Sequence, residues 1–198
     1  MAIIVDKVQK RKDIALSCKG LFFTHGISNL TISQIAATAG VGKGTIYDYF
    51  KNKEDIVFEI VNILIQERNS KKEEKLSQIT VTKEKIKLFA VFFHSEEDAE
   101  LRQIYKEFVS ISLAKQDKDM MDFQTKCSSS YFRWFEQIIQ EGIEKNELIP
   151  QASKFCRGLF VMVEGMFIAS EVTYVIDDLK KEIHDYIDAL FELIEVKK

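Results

Sequence analysis

Between Lys43 and Asp48 the chain places an ammonium, a hydroxyl, a phenol and a carboxylate within six residues, with a glycine among them. Side chains of these types read DNA when a helix carries them into the major groove. At about 100° per helical residue, and with Ile46 turned to a core, Gly44 and Asp48 point most nearly outward. Thr45 and Tyr47 then lie on the flanks, and Lys43 and Tyr49 nearer the core edge. Gly44 would let the backbone approach closely. Thr45 suits a thymine methyl or a base edge, and Lys43 a guanine or a phosphate. Asp48 has two readings: it accepts from a cytosine N4 amine, or it pairs locally with Lys51 at i+3. Lys53 opens a further helix, where its ammonium joins free N–H groups at a phosphate, and Thr31 and Ser33 would serve alike one helix earlier. Thr31 reads equally as a cap, Tyr49 as a core ring and Lys51 as a solvated charge.

The elements that must hold these groups are legible around them. Thr31 followed by Gln34 is a capping box, and Ile32, Ile35 and Ala36 form one apolar stripe of a short helix. Gly40 stands where a helix end needs positive φ. Val41 re-enters the core, and a second helix over 42–50 turns Ile46 and Phe50 inward. This is the spacing of a helix-turn-helix, whose second helix enters the major groove. Charge agrees with that assignment. The chain of 198 residues has a net charge of −3, but residues 1–53 carry +5 and the remainder −8. A basic head on an acidic body fits one phosphate-facing module attached to something that is not.

The remainder reads as helix throughout. There is one proline, five of eight glycines lie between positions 20 and 44, and no segment alternates with period two. The expectation is an all-α chain of about nine helices, beginning with one over 6–25 and ending with two over 152–174 and 177–196. Ser95 and Asp98 form a second candidate capping box, and 69–75 reads as a polar stretch. The division is placed near residue 50: a DNA-binding domain over 1–50 and a helical body over 51–198. No apolar run reaches the ~20 residues of a membrane span, and no signal-peptide core follows the first five residues, which points to the cytoplasm. Cys18, Cys127 and Cys156 are odd in number and scattered, as free thiols in a reducing compartment are. Without CxxC or CxxH spacings, no metal or cofactor is expected.

The segment TISQIAATAGVGKGTIYDYFKNKEDI resembles the TetR (tetracycline repressor) family of transcriptional regulators, and the likeness covers about 50 residues strongly. Beyond it only the number and order of helices agree. The resemblance implies a homodimer, a divergent ligand-binding body, and repression relieved by a small molecule. It also makes Tyr47 and Tyr49 similar to the family's backbone-contacting aromatics, with hydroxyls donating to phosphate. Gly42 stands where the family commonly has serine, losing a side-chain cap at a cost of a few tenths of a kcal/mol.

In the body, Phe89, Phe93, His94, Phe108, Phe123, Phe135, Met162, Glu164, Met166 and Tyr174 are the candidates for lining an adaptable apolar cavity. Most such side chains simply fill a core. Glu164, inside LFVMVEGMFIA, needs a partner or a cationic ligand; the ligand expected is hydrophobic and possibly cationic. Leu159, Phe160, Val163 and Phe167, with Ile183, Ile187, Leu190 and Ile194, form two stripes suited to dimer packing. A two-fold dimer sets two reading helices on a pseudo-palindromic operator. His25, His94 and His184 are far apart in sequence and are taken as surface or satisfied core. No GxSxG, HExxH, P-loop or dinucleotide fingerprint supports an enzyme. A regulator governed by a protein partner, or an activator, is the alternative to a ligand-released repressor.

Overall fold

Each helix end in the reading head has a physical cause. The computed structural model describes residues 6–197, as ten α-helices, three short 3-10 turns and one isolated antiparallel bridge, Leu148 to Glu195. The first five residues, on which the signal-peptide reading partly rests, lie outside the described residues. The expected first helix is divided in two, α1 (Lys7–Ser17) and α2 (Lys19–His25). Ser17 Oγ donates to the Ile14 carbonyl at 2.7 Å, a back-bond that bends helices, and the Cys18 amide turns to the Ala15 and Leu16 carbonyls. Gly26, at φ 74°, ends α2.

The helices that follow are α3 (Ile32–Thr38), α4 (Lys43–Tyr49), α5 (Lys53–Ser77), α6 (Thr82–Ala90), α7 (Ala99–Lys115), α8 (Lys118–Glu144), α9 (Cys156–Val172) and α10 (Leu179–Ile194). The chain divides into two compact units, residues 1–71 with 103–123, and residues 72–102 with 124–198.

The first unit buries Ile14, Ala15, Cys18 and Phe22 with Ile35, Ala36, Ile46, Phe50, Ile56 and Ile60. Arg11 is its polar clasp. Its guanidinium meets Asp55 at 2.8 Å and Glu59 at 2.9 Å, donates to the Tyr49 carbonyl, and lies 4.2 Å from the Phe50 ring centroid. Glu107 of α7 accepts the Ile27 N–H at 2.8 Å, which fixes the turn leading to α3. Phe58 stacks on Phe123 at 4.4 Å and meets Phe108 edge-on at 5.8 Å.

The second unit is built on Ile86, Phe89, Phe132, Phe135, Leu159, Val163, Phe167, Ile183, Ile187 and Phe191. Lys87 bridges to Asp188 at 2.7 Å, and Lys85 to Glu141 at 3.1 Å. The turn after α8 is stitched to the end of α10: the Ile149 N–H donates to the Ile194 carbonyl, and the Val196 N–H to that of Glu147, both at 2.9 Å.

Two sequence expectations are corrected here. Ser95 caps no backbone amide; its hydroxyl donates to Asp98 at 3.0 Å, and a 3-10 turn, Glu96–Asp98, precedes α7. The polar stretch 69–75 contains Lys72, only 6 % exposed.

Candidate functional site

Short-range bonds build the reading head. Thr31 and Gln34 form both halves of the capping box, and the Thr31 hydroxyl also donates to Gln34 Oε1 at 2.8 Å. Its hydrogen-bonding capacity is spent on the helix, so Thr31 is a cap. Gly40 takes φ 65° as the turn requires. Gly42 caps α4 without a side-chain bond. Ile46 is fully buried beneath α4, so the opposite face turns out to solvent.

On α4, Lys43, Gly44, Tyr47 and Asp48 are all exposed and Thr45 and Tyr49 half-buried, and Ser33 is exposed on α3. A Cβ added at Gly44 would meet nothing within 4 Å. The local Asp48–Lys51 pair is not formed among the described residues; the Lys51 amide donates instead to Asp55 Oδ2 at 3.1 Å. Asp48 is therefore an unpaired carboxylate on the reading face. Lys53 is a correction in the other direction. Its ammonium donates to the Ser28 carbonyl at 2.9 Å and to that of Leu30 at 3.1 Å, so two of its three donors hold the turn before α3.

The ten residues expected around a cavity are divided between the two units. Phe108 and Phe123 belong to the first unit, with Phe58. Phe89 and Phe135 are core residues of the second, and Phe93, Met162 and Met166 pack against that core. Glu164 is half-buried on α9. Tyr174 is fully exposed beyond the end of α9, where the chain has left the helix and turns it to solvent. An open groove of about 340 Å³ lined by Glu136, Gln137, Ile139, Gln140, Ser153 and Cys156 includes none of the ten.

Two features of the second unit escaped the sequence reading. Lys72 sets its ammonium 4.3 Å from the Phe89 ring centroid, 5.5 Å from Tyr131 and 6.0 Å from Trp134. An aromatic box of the kind that binds cations is thus filled by the chain's own lysine. Its spacing of four from buried Leu76 was the available signal. The second is that His94 and His184 meet, with ring centroids 5.8 Å apart. Burial holds both imidazoles below their ordinary pKa. His184, Lys180 and Arg102 add to this for His94, and Lys87 and Lys180 for His184. Of the two readings, surface or satisfied core, the second does not hold for either, since each Nε2 is buried without a hydrogen-bond partner among the described residues.

The proposed dimer stripes are also corrected. Leu159, Val163, Phe167, Ile183, Ile187, Leu190 and Ile194 are buried within the protomer, and Phe160 packs against the same core. An amphipathic helix has one strongly apolar stripe, and the protomer's own core has claimed it. What α9 and α10 leave exposed is Val161, Val172, Tyr186 and Leu193.

Comparison with known proteins follows the same line. Residues 19–60 match the family model described as bacterial regulatory proteins, tetR family. The chain is 25 % identical over 175 residues to the fatty acid metabolism regulator protein of Bacillus subtilis, covering 86 % of each. Its fold matches a TetR-family transcriptional regulator from Cytophaga hutchinsonii with a TM-score of 0.77, at 17 % identity over the whole of both chains. It also matches the regulator FadR from Bacillus subtilis in complex with stearoyl-CoA, with a TM-score of 0.63 at 24 % identity, covering 91 % of this chain and 95 % of that one. No helix among the described residues is long and apolar enough to cross a membrane.

Proposed function

We propose a ligand-released repressor, on the premise that this chain belongs to the TetR family of bacterial DNA-binding transcriptional regulators. The observation that carries the reading is the solvent-facing side of α4, where Lys43, Gly44, Tyr47 and Asp48 stand clear of the core on a helix held by caps and by Ile46. Gly44 brings the backbone to the groove, Thr45 and Lys43 meet base edges, and Tyr47 and Tyr49 donate to phosphates. Asp48, without a partner among the described residues, accepts from a cytosine amine. Ser33 adds a phosphate contact, whereas Thr31 and Lys53 position the reader.

Two copies associate through the outer faces of α9 and α10. Val161, Gly165, Ile168 and Val172 follow one another at helical spacing along α9, and Tyr186 and Leu193 lie seven residues apart on α10. A two-fold dimer built this way presents two α4 helices to a pseudo-palindrome. The releasing ligand is a small hydrophobic molecule held in the aromatic body. The stearoyl-CoA bound by the Bacillus subtilis neighbour is in keeping with an apolar chain. A cationic ligand would have to displace Lys72 from its aromatic box.

The test is selection of bound sites from random duplex DNA, then a screen of apolar compounds for release. A pseudo-palindromic site with steep salt dependence is the expected result. Asp48→Ala should weaken mainly the sites carrying the contacted cytosine, by about 1–3 kcal/mol; equal weakening at all sites would refute the base contact. Sedimentation as a monomer at micromolar concentration would refute the dimer.

A further inference from the structure

We infer that His94 and His184 form a binding site for a divalent late-transition-metal ion of the zinc or nickel class. His94 follows the 3-10 turn Val91–Phe93, and His184 stands in the second turn of α10. Their ring centroids are 5.8 Å apart with the planes at 75°. Both Nε2 atoms are buried and neither has a hydrogen-bond partner among the described residues. Leaving one such atom unsatisfied costs about 1–3 kcal/mol, so two side by side are poorly explained as packing and well explained as ligands. With metal–nitrogen bonds of about 2.1 Å, two imidazoles sharing an ion bring their centroids to roughly 5–6 Å. The observed centroid separation of 5.8 Å falls in that range.

The surroundings suit a cation that prefers nitrogen. Burial lowers the pKa of both rings and so disfavours their charged form, which cannot ligate through either nitrogen. Charges of both signs lie near the pair, the cations acting more strongly on the rings than the carboxylates. Lys87, Lys180 and Arg102 are partly offset by Glu84, Asp178 and Asp188. Two of the cations are already engaged, Lys87 by Asp188 at 2.7 Å and Arg102 by the carbonyls of Phe92 and Ser95. Among the described residues no group of three or more His, Cys, Asp or Glu side chains is placed to hold an ion. The chain thus supplies two nitrogen ligands, and water would complete the coordination of the ion. Imidazole selects zinc, nickel and copper over magnesium and calcium, which take oxygen.

The test uses the full chain, stripped with a chelator and titrated with Co²⁺ and Ni²⁺ by calorimetry and visible absorption. One ion per chain is expected, with Mg²⁺ unable to compete. His94→Ala and His184→Ala should each weaken binding by more than the roughly 10–100-fold that losing an outer-shell partner costs, and the exposed His25→Ala should leave it unchanged. Should an alanine variant fold poorly, zinc added to the unaltered chain should shift the imidazole NMR signals of His94 and His184 together and leave those of His25 in place. No ion bound, binding that survives both substitutions, or a shift at His25 instead would each overturn the site. The readout is the ion alone, so it stands apart from operator binding and release.

Discussion

A methyl group added at Gly142 would lie 2.7 Å from Thr82 Oγ1, 2.8 Å from Thr82 Cγ2 and 3.0 Å from Leu148 Cδ1, whereas one added at Gly44 would meet nothing within 4 Å. Gly44 lies in the first turn of α4 and Gly142 in the last turn of α8, where glycine costs at most about 1 kcal/mol relative to alanine. In the second unit the cost is offset from within. Buried Thr82 rests on the bare backbone of α8, and its amide donates to Glu147 at 2.8 Å. In the first unit nothing inside the protein asks for glycine at 44, and the demand faces outward, toward DNA. The body is specified by how closely its helices fit one another, and the reading helix by what it has to approach.

The contrast is tested most severely at Gly142. Gly142→Ala should destabilise by about 2–3 kcal/mol, since overpacking a tight interior costs that much, and lower the melting temperature by several degrees. An unchanged melting temperature would mean that Thr82 gives way, and the contrast would collapse. Next is Arg11→Ala, which strands Asp55, Glu59 and the Tyr49 carbonyl in the head. After discounting for partial exposure, a loss of about 1–2 kcal/mol is expected in chemical denaturation. Arg11→Lys should recover only part of it, because a compact ammonium lacks the planar fork that reaches all three acceptors at once.

A smaller effect comes from Glu147. Burial works against its charge, but the Thr82 hydrogen bonds and then Lys145 and Lys85 outweigh it and hold the carboxyl below its ordinary value of 4.5. A depressed carboxylate stabilises the fold above that ordinary value and loses its contribution as pH falls through the lower folded value. Stability should therefore decline below about pH 4.5, and Glu147→Gln should flatten that part of the profile in pH-dependent melts. The smallest change in stability belongs to Gly44→Ala, at most about 1 kcal/mol and in the favourable direction. Its operator affinity should nonetheless fall by about tenfold, or 1.4 kcal/mol, measured by fluorescence anisotropy. Full affinity would show that the α4 backbone does not approach the groove closely.

The parts of the site that could be read ahead of the structure depend on neighbours within a few residues. Thr31 and Gln34 cap α3, Gly40 turns with positive φ, and Ile46 points inward, as their spacing requires. Lys53 had the right position for a phosphate, but its ammonium is drawn to two carbonyls more than twenty residues away in the chain. Lys72 looked solvated because its neighbours are charged, and the rings that cover it come from α6 and α8. The stripes of α9 and α10 were real, but periodicity does not say whether a stripe meets its own protomer or another.

The amino-acid string alone therefore yields the helices, the helix-turn-helix, its outward face and the basic head, because caps, turns and the 3.6-residue period act over one or two helical turns. Docking of distant helices decided which stripe became core, which lysine entered an aromatic box, and that two histidines far apart in the chain meet. Such meetings arise where separate elements pack, and no short window of residues contains both partners.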